Sequence, residues 1–125
     1  MSLPCEFAVR SVVPAMRALV ARELSTIYHM KQEDVALLLG ITQSAVSQYM
    51  RNARGKAIAI DGIEEVQDLV RGLADGLARD ALSKRQITRR YCEACQVIRE
   101  KRVLCSLHKR LDPTFNIEAC DACLP

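Results

Sequence analysis

Apolar residues recur at helical spacing through the first eighty or so positions, a pattern that predicts helices and no extended sheet. Pro14 suits the first turn of a helix, where its missing N–H costs nothing, and Met16, Leu19, Val20, Leu24 and Ile27 then form one apolar stripe. Gln32–Arg51 reads as two short helices that turn Val35, Leu39, Ile41, Val46 and Tyr49 inward. Gly55–Ile60 is a connection that fits either a brief strand or a segment packed on the first domain. Asp61 and Glu64 have the spacing of a capping box, Asp61 accepting from the Glu64 backbone N–H while Glu64 reaches back. Ile63, Val66, Leu69 or Val70, Leu73, Leu77 and Leu82 follow at three- and four-residue steps. A helix of about twenty residues is therefore expected from there, with a stripe it must bury.

That stripe has two possible covers. It can pack on its own N-terminal domain, or Ile63, Val66, Leu69, Leu73 and Leu77 can form the seam of a homodimer. Gly72 and Gly76 lie one turn apart beside Ala74 and Ala78, which would let two helices approach closely. Glycine costs a helix ~1 kcal/mol relative to alanine, so a pair of them implies a packing reason and favours the seam. From Ser83 onward the chain turns basic and then Cys-rich, with too few apolar residues for a core of its own. The expected organisation is thus a helix-turn-helix unit over 1–56, a linker and dimerisation helix over 57–82, and a basic, Cys-rich, metal-bound tail over 83–125. The fold class is all-α.

A length of 125 residues bounds this to one compact helical domain with an appendage. Half the residues are apolar, which suffices for a core, yet the net charge of +3 identifies no partner. Its distribution is more informative. Nine of the 18 basic residues lie between Lys84 and Arg110, opposed there only by Glu93 and Glu100. Such a local field suits phosphate contact as well as plain solvation. No apolar run approaches the ~20 residues of a membrane span, and Met1–Arg10 lacks the basic-then-apolar order of a signal peptide. A cytoplasmic protein with reduced thiols is expected. Six Cys in so short a chain then argue for metal binding or redox sensing over a disulfide framework.

The segment QEDVALLLGITQSAVSQYMR, Gln32–Arg51, meets each constraint of two helices crossing over a tight turn. Ala36 is small where the helices touch. Gly40 tolerates the positive φ of the corner, and Thr42 can cap the second helix. Gln43, Ser44, Ser47, Gln48 and Arg51 are left outward, where a merely solvated helix would carry Glu and Lys. Gln bonds bidentately to adenine, Ser reads several base edges, and Arg prefers guanine or phosphate. Gln43 and Ser44, nearest the N-terminus of the second helix, are the leading readers. Gln32 is placed to touch a phosphate and brace Gln43, while Arg51, Arg54 and Lys56 suit the DNA backbone.

With the pairing of Gln32 and Gln43, the segment resembles the lambda-repressor-like helix-turn-helix family. Pro4-Cys5-Glu6, Val13-Pro14-Ala15-Met16-Arg17 and the run Gly40–Tyr49 make it similar, more narrowly, to predicted archaeal transcription regulators. The resemblance covers Leu3 to about Leu82. It implies a helical bundle that binds double-stranded DNA through its second short helix. In some such regulators a thiamine-phosphate-synthase-like sensor follows; here a Cys-rich tail stands in that place.

The tail reads Cys92-x2-Cys95-x9-Cys105-x2-His108-x11-Cys120-x2-Cys123. Two Cys-x2-Cys units can complete a four-sulfur tetrahedron, so metal binding is expected and its loss should melt the tail. Zinc fits Cys92/Cys95/Cys120/Cys123 or Cys92/Cys95/Cys105/His108. Two features lean slightly toward an iron–sulfur cluster: no Gly follows Cys95 or Cys123, and thiols are in surplus. Cys5 reads as a small buried hydrophobe. The combined expectation is a homodimeric transcription regulator whose recognition helices lie about 34 Å apart on an inverted-repeat operator, tuned by the metal centre. A structural zinc tail or a metal-stapled protein adaptor are the alternatives. A thiol–disulfide enzyme lacks the surrounding βαβ pattern, and no phosphate loop, carboxylate pair or nucleophile–base pair marks another enzyme class.

Overall fold

The computed structural model describes residues 4–51 and 62–101, and side chains from residue 11. It is all-helical over those residues: α1 (Pro4–Thr26), α2 (Gln32–Leu39), α3 (Gln43–Met50), α4 (Glu64–Ala78) and α5 (Lys84–Glu100). Helix α1 touches all four others, while α2 pairs with α3 and α4 with α5. The architecture is therefore two helical pairs laid against one central helix. Met16, Val20 and Leu24 of α1 are fully buried at that junction, with Val35, Val46, Val66, Leu73 and Ile98 around them. No described helix is long and apolar enough to cross a membrane.

Pro14 lies inside α1 and not at its start, a place that Pro4 takes instead. A proline there removes one backbone hydrogen bond and weakens a helix by about 3 kcal/mol. Burial on both sides of it offsets that loss, since Ser11, Val12, Ala15 and Met16 all sit in the core. Ile27, the last residue of the expected stripe, falls just past α1 and is 59% exposed.

The C-terminal half departs further from expectation. Helix α4 has Ile63 as its N-cap, without a side-chain cap, and Glu64 as its first residue and not its third. Asp61 and the connection Gly55–Ile60 lie outside the described residues. The helix stops at Ala78 instead of running to Leu82. Asp80 takes the left-handed conformation at φ 53°, its N–H reaches the Leu77 carbonyl, and the Ala81 N–H reaches that of Gly76 at 2.8 Å. These bonds satisfy the last carbonyls and end the helix in a Schellman turn.

The α4 stripe is covered from within the chain. Val66, Val70, Leu73, Ala74 and Leu77 are buried against the protein's own core, and Ile63 and Leu69 pack beside it. Ile63, Val66, Leu69, Leu73 and Leu77 are therefore not an open seam for a second copy, contrary to the dimer expectation. The two glycines have local reasons as well. A Cβ on Gly72 would stand 2.7 Å from Nη1 of Arg90, and one on Gly76 would collide with Leu82, which folds back over the end of α4.

Nor does the domain boundary at residue 83 hold. Ser83 accepts from the Gln86 N–H while Gln86 reaches back to the Ser83 N–H at 2.8 Å, a complete capping box that starts α5. Helix α5 buries Ala94 and Ile98 in the common core and half-buries Ile87, Tyr91, Cys95 and Val97. Residues 84–101, expected as tail, belong to the bundle. A stripe of six packed positions in a 17-residue helix is enough, because the other helices supply the rest of the core.

Candidate nucleic-acid interface

Two eight-residue helices are too short to persist alone, so α2 and α3 depend on tertiary contact. Their inward residues are Val35, Ala36, Ala45, Val46 and Tyr49, all buried, with Leu39 and Ile41 half-buried at the turn. Gly40 closes α2 in the left-handed region at φ 66°, and the Ile41 N–H bonds the Ala36 carbonyl at 3.0 Å. Thr42 caps α3, its Oγ1 accepting from the Ala45 N–H at 3.0 Å. The far end of α3 is tied to the central helix, where Arg22 Nε donates to the Tyr49 carbonyl at 3.2 Å.

This packing turns Thr42, Gln43, Ser44 and Arg51 fully outward and leaves Ser47, Gln48 and Gln32 half-exposed. Thr42 is the cap, so its hydroxyl oxygen is already engaged by the backbone. Gln43, Ser44, Ser47, Gln48 and Arg51 make no side-chain hydrogen bond or ion pair among the described residues. The outward residues of α3 carry no charge before Arg51, whereas α2, after Lys31, has exposed Glu33 and Asp34 in its first turn. Gln32 opens α2 behind that extended Lys31 cap, but no hydrogen bond joins it to Gln43. Arg54 and Lys56 lie outside the described residues.

Some charged residues of α4 and its surroundings are paired. Arg71 pairs with Asp68 at 2.7 Å, Arg79 with Asp75 at 2.8 Å, and Lys101 with Glu65 at 3.4 Å. Tyr28 donates to Asp75 at 2.9 Å, joining the end of α1 to α4. That bond to a carboxylate raises the Tyr28 pKa, because the phenol must keep its proton to donate. Glu65 is lowered, first by its own backbone N–H and then by Lys101. Tyr91 on α5 is raised chiefly by burial, with Arg17 working the other way.

The Cys residues divide between what is described and what is not. Cys92 is exposed and Cys95 half-buried on consecutive turns of α5, close to the half-buried Tyr91. Spacing of three residues puts both on one side of the helix. They offer two sulfur donors, and no group of three or more His, Cys, Asp or Glu that could hold a metal occurs among the described residues. Cys105, His108, Cys120 and Cys123 lie outside them, as does the side chain of Cys5.

Three features of this region were not read from the pattern: Leu37, 82% exposed, Leu38, 39% exposed, and the Arg22 tie to Tyr49. Leu39, read as inward, is the one of the three consecutive leucines that packs against the core, and the fold leaves the other two exposed. Comparison with protein-family models, with curated proteins and with solved structures gave no match. The resemblance to lambda-repressor-like proteins rests on the residues quoted for it.

Proposed function

We propose that the chain is a sequence-specific DNA-binding transcription regulator in which α2 and α3 act as a helix-turn-helix. Helix α3 enters the major groove, Gln43 and Ser44 read base edges first, and Ser47 and Gln48 follow along the helix. Gln32, Arg51, Arg54 and Lys56 take the phosphates, with Thr42 holding the start of α3. The observation that supports this most is that the outward amide and hydroxyl groups of α3 are unpaired among the described residues, on a helix fixed by Val46 and Tyr49 beneath. Unpaired donors and acceptors on a rigid support are what base readout requires.

Binding as a homodimer to an inverted repeat is part of the proposal, but the contact between copies must use a surface other than the α4 stripe. The Cys cluster supplies the response. Cys92 and Cys95 are suited to be two ligands of a four-thiolate iron–sulfur cluster, or of Zn2+, with Cys105, His108, Cys120 and Cys123 as the remaining candidates. When bound, such a centre would supply a redox- or metal-dependent link between α5 and the chain after it.

Binding of the metal-loaded protein to random and selected duplexes tests the reading. Gln43→Ala should relax base preference, with about 1–3 kcal/mol of discrimination lost at one position and the salt slope unchanged. A uniform loss over all sequences would make Gln43 a backbone contact. Equal duplex affinity before and after demetallation would reduce the Cys centre to a structural one. A second reading, a protein-interaction adaptor, is favoured by the exposed Ile27, Leu37 and Leu38. No binding to any duplex at low salt would select it.

A further inference from the structure

Between α4 and α5 runs an open groove lined by Glu65, Asp68, Leu69, Glu93, Val97 and Glu100, with Arg90 and Gln96 completing it. Its volume is about 520 Å³. The floor is apolar, from half-buried Leu69 and Val97, and the rim carries four carboxylates against one guanidinium. Two of the rim acids have local cations, Asp68 with Arg71 and Glu65 with Lys101. Glu93 and Glu100 have none among the described residues. A surface of this kind repels a nucleic acid and fits a cationic segment with apolar residues.

The described chain ends at its mouth. Lys101 follows α5 directly, and its Nζ lies 3.4 Å from the Glu65 carboxylate at one end of the groove. The next residues, RVLCSLHKR, place Arg102, Lys109 and Arg110 with Val103, Leu104 and Leu107 and hold no acidic side chain. The two helices run antiparallel here, Lys101 lying opposite Glu65 and Arg90 opposite Gly72. A chain that reverses after Lys101 thus enters beside Glu100 and meets Glu93 further along. From Arg90 to Glu100 the groove extends ~15 Å along α5 at the helical rise of about 1.5 Å per residue, a length the segment can cover.

We propose that this groove is the intramolecular docking site of residues 102–110, apolar residues on Leu69 and Val97 and basic ones against Glu93 and Glu100. The inference does not depend on the DNA-binding reading, and its test contains no DNA.

The full chain supplies its own reporter, since trypsin cuts after Arg102, Lys109 and Arg110. Cleavage of a transiently opened segment follows the population of the open form. In the E93Q/E100Q variant, which adds no tryptic site, cleavage at those positions should rise about threefold to tenfold at low salt, the range expected for losing two exposed ion pairs. Raising the salt to 0.5 M, where screening is strong (Debye length on the order of 4 Å), should speed the wild type and leave the variant unchanged. The wild-type salt response stands as a test even if the variant misfolds. Equal rates in both proteins with no salt response would overturn the proposal. So would protection that grows with protein concentration, which puts a second copy's segment in the groove, or protection lost on chelation regardless of Glu93 and Glu100.

Discussion

Helices α2 and α3 and helices α4 and α5 lean on the same central helix, but they spend their polar residues differently. In the α4–α5 pair part of the outward charge is engaged locally, Asp68 with Arg71, Asp75 with Arg79 and Tyr28, and Glu65 with Lys101, while Glu93 and Glu100 have no cation among the described residues. In the α2–α3 pair the outward groups of the second helix are neutral and unpaired among the described residues. Surface ion pairs add little stability, typically 0–1 kcal/mol each, and they occupy the groups that form them. A surface without such pairs keeps its donors and acceptors available. The comparison separates a half of the molecule suited to holding shape from a half suited to contact.

The sharpest way to break that division is at Leu73, fully buried in α4. Leu73→Ala should lower stability by about 2–5 kcal/mol through lost burial and a cavity. Any rise of the melting midpoint with protein concentration should be the same in wild type and variant, because copies meet elsewhere; a rise that the variant loses would show that the α4 stripe is shared between copies after all.

The two turns give smaller effects of opposite sign. Gly40 has positive φ with open space around it, so Gly40→Ala should destabilise by about 1–2 kcal/mol from backbone strain alone. Asp80 already strains at φ 53°, so Asp80→Gly should gain a few tenths of a kcal/mol up to about 1. Denaturant titration of both variants checks the signs, and a loss at Asp80 would mean that its side chain does more than tolerate the turn.

The α4 glycines sharpen the picture of that helix. Gly72→Ala meets only the flexible end of Arg90 and should be neutral or gain up to ~1 kcal/mol of helix propensity. Gly76→Ala drives Leu82 away and should cost about 1–2 kcal/mol net. Equal effects in thermal melts would remove the local explanation for the pair.

The smallest effect concerns pH. Burial raises the Tyr91 pKa above its ordinary value near 10, so the unfolded chain gives up that proton first. The contribution is complete below about pH 10 and falls as pH rises through the folded value. Tyr91→Phe should flatten this alkaline decline in urea titrations, and an unchanged slope would place its origin elsewhere.

Legibility in the sequence followed the same division. Over Gln32–Arg51 the constrained positions are local, and the pattern identified Ala36, Gly40, Thr42 and Val46 in the places where the structure puts them. In α1 the proline signal misled, because Ser11, Val12, Ala15 and Met16 are held by residues far along the chain. His29 and Asp80 take positive φ without being glycine, so no letter announced the turns they make. The apolar stripe of α4 was visible, whereas its cover was not. A stripe states that burial is needed and is silent about the partner.

What the residues alone determined is the helical class and an outward edge of Gln43, Ser44, Ser47 and Gln48. Caps, turns and helical period act within a few residues and need no distant contact. Tertiary structure decided that α4 faces inward, that α5 belongs to the bundle, and that its glycines receive Arg90 and Leu82. Those outcomes depend on which surfaces meet across dozens of residues, and burial favours any apolar neighbour that the chain can bring within reach.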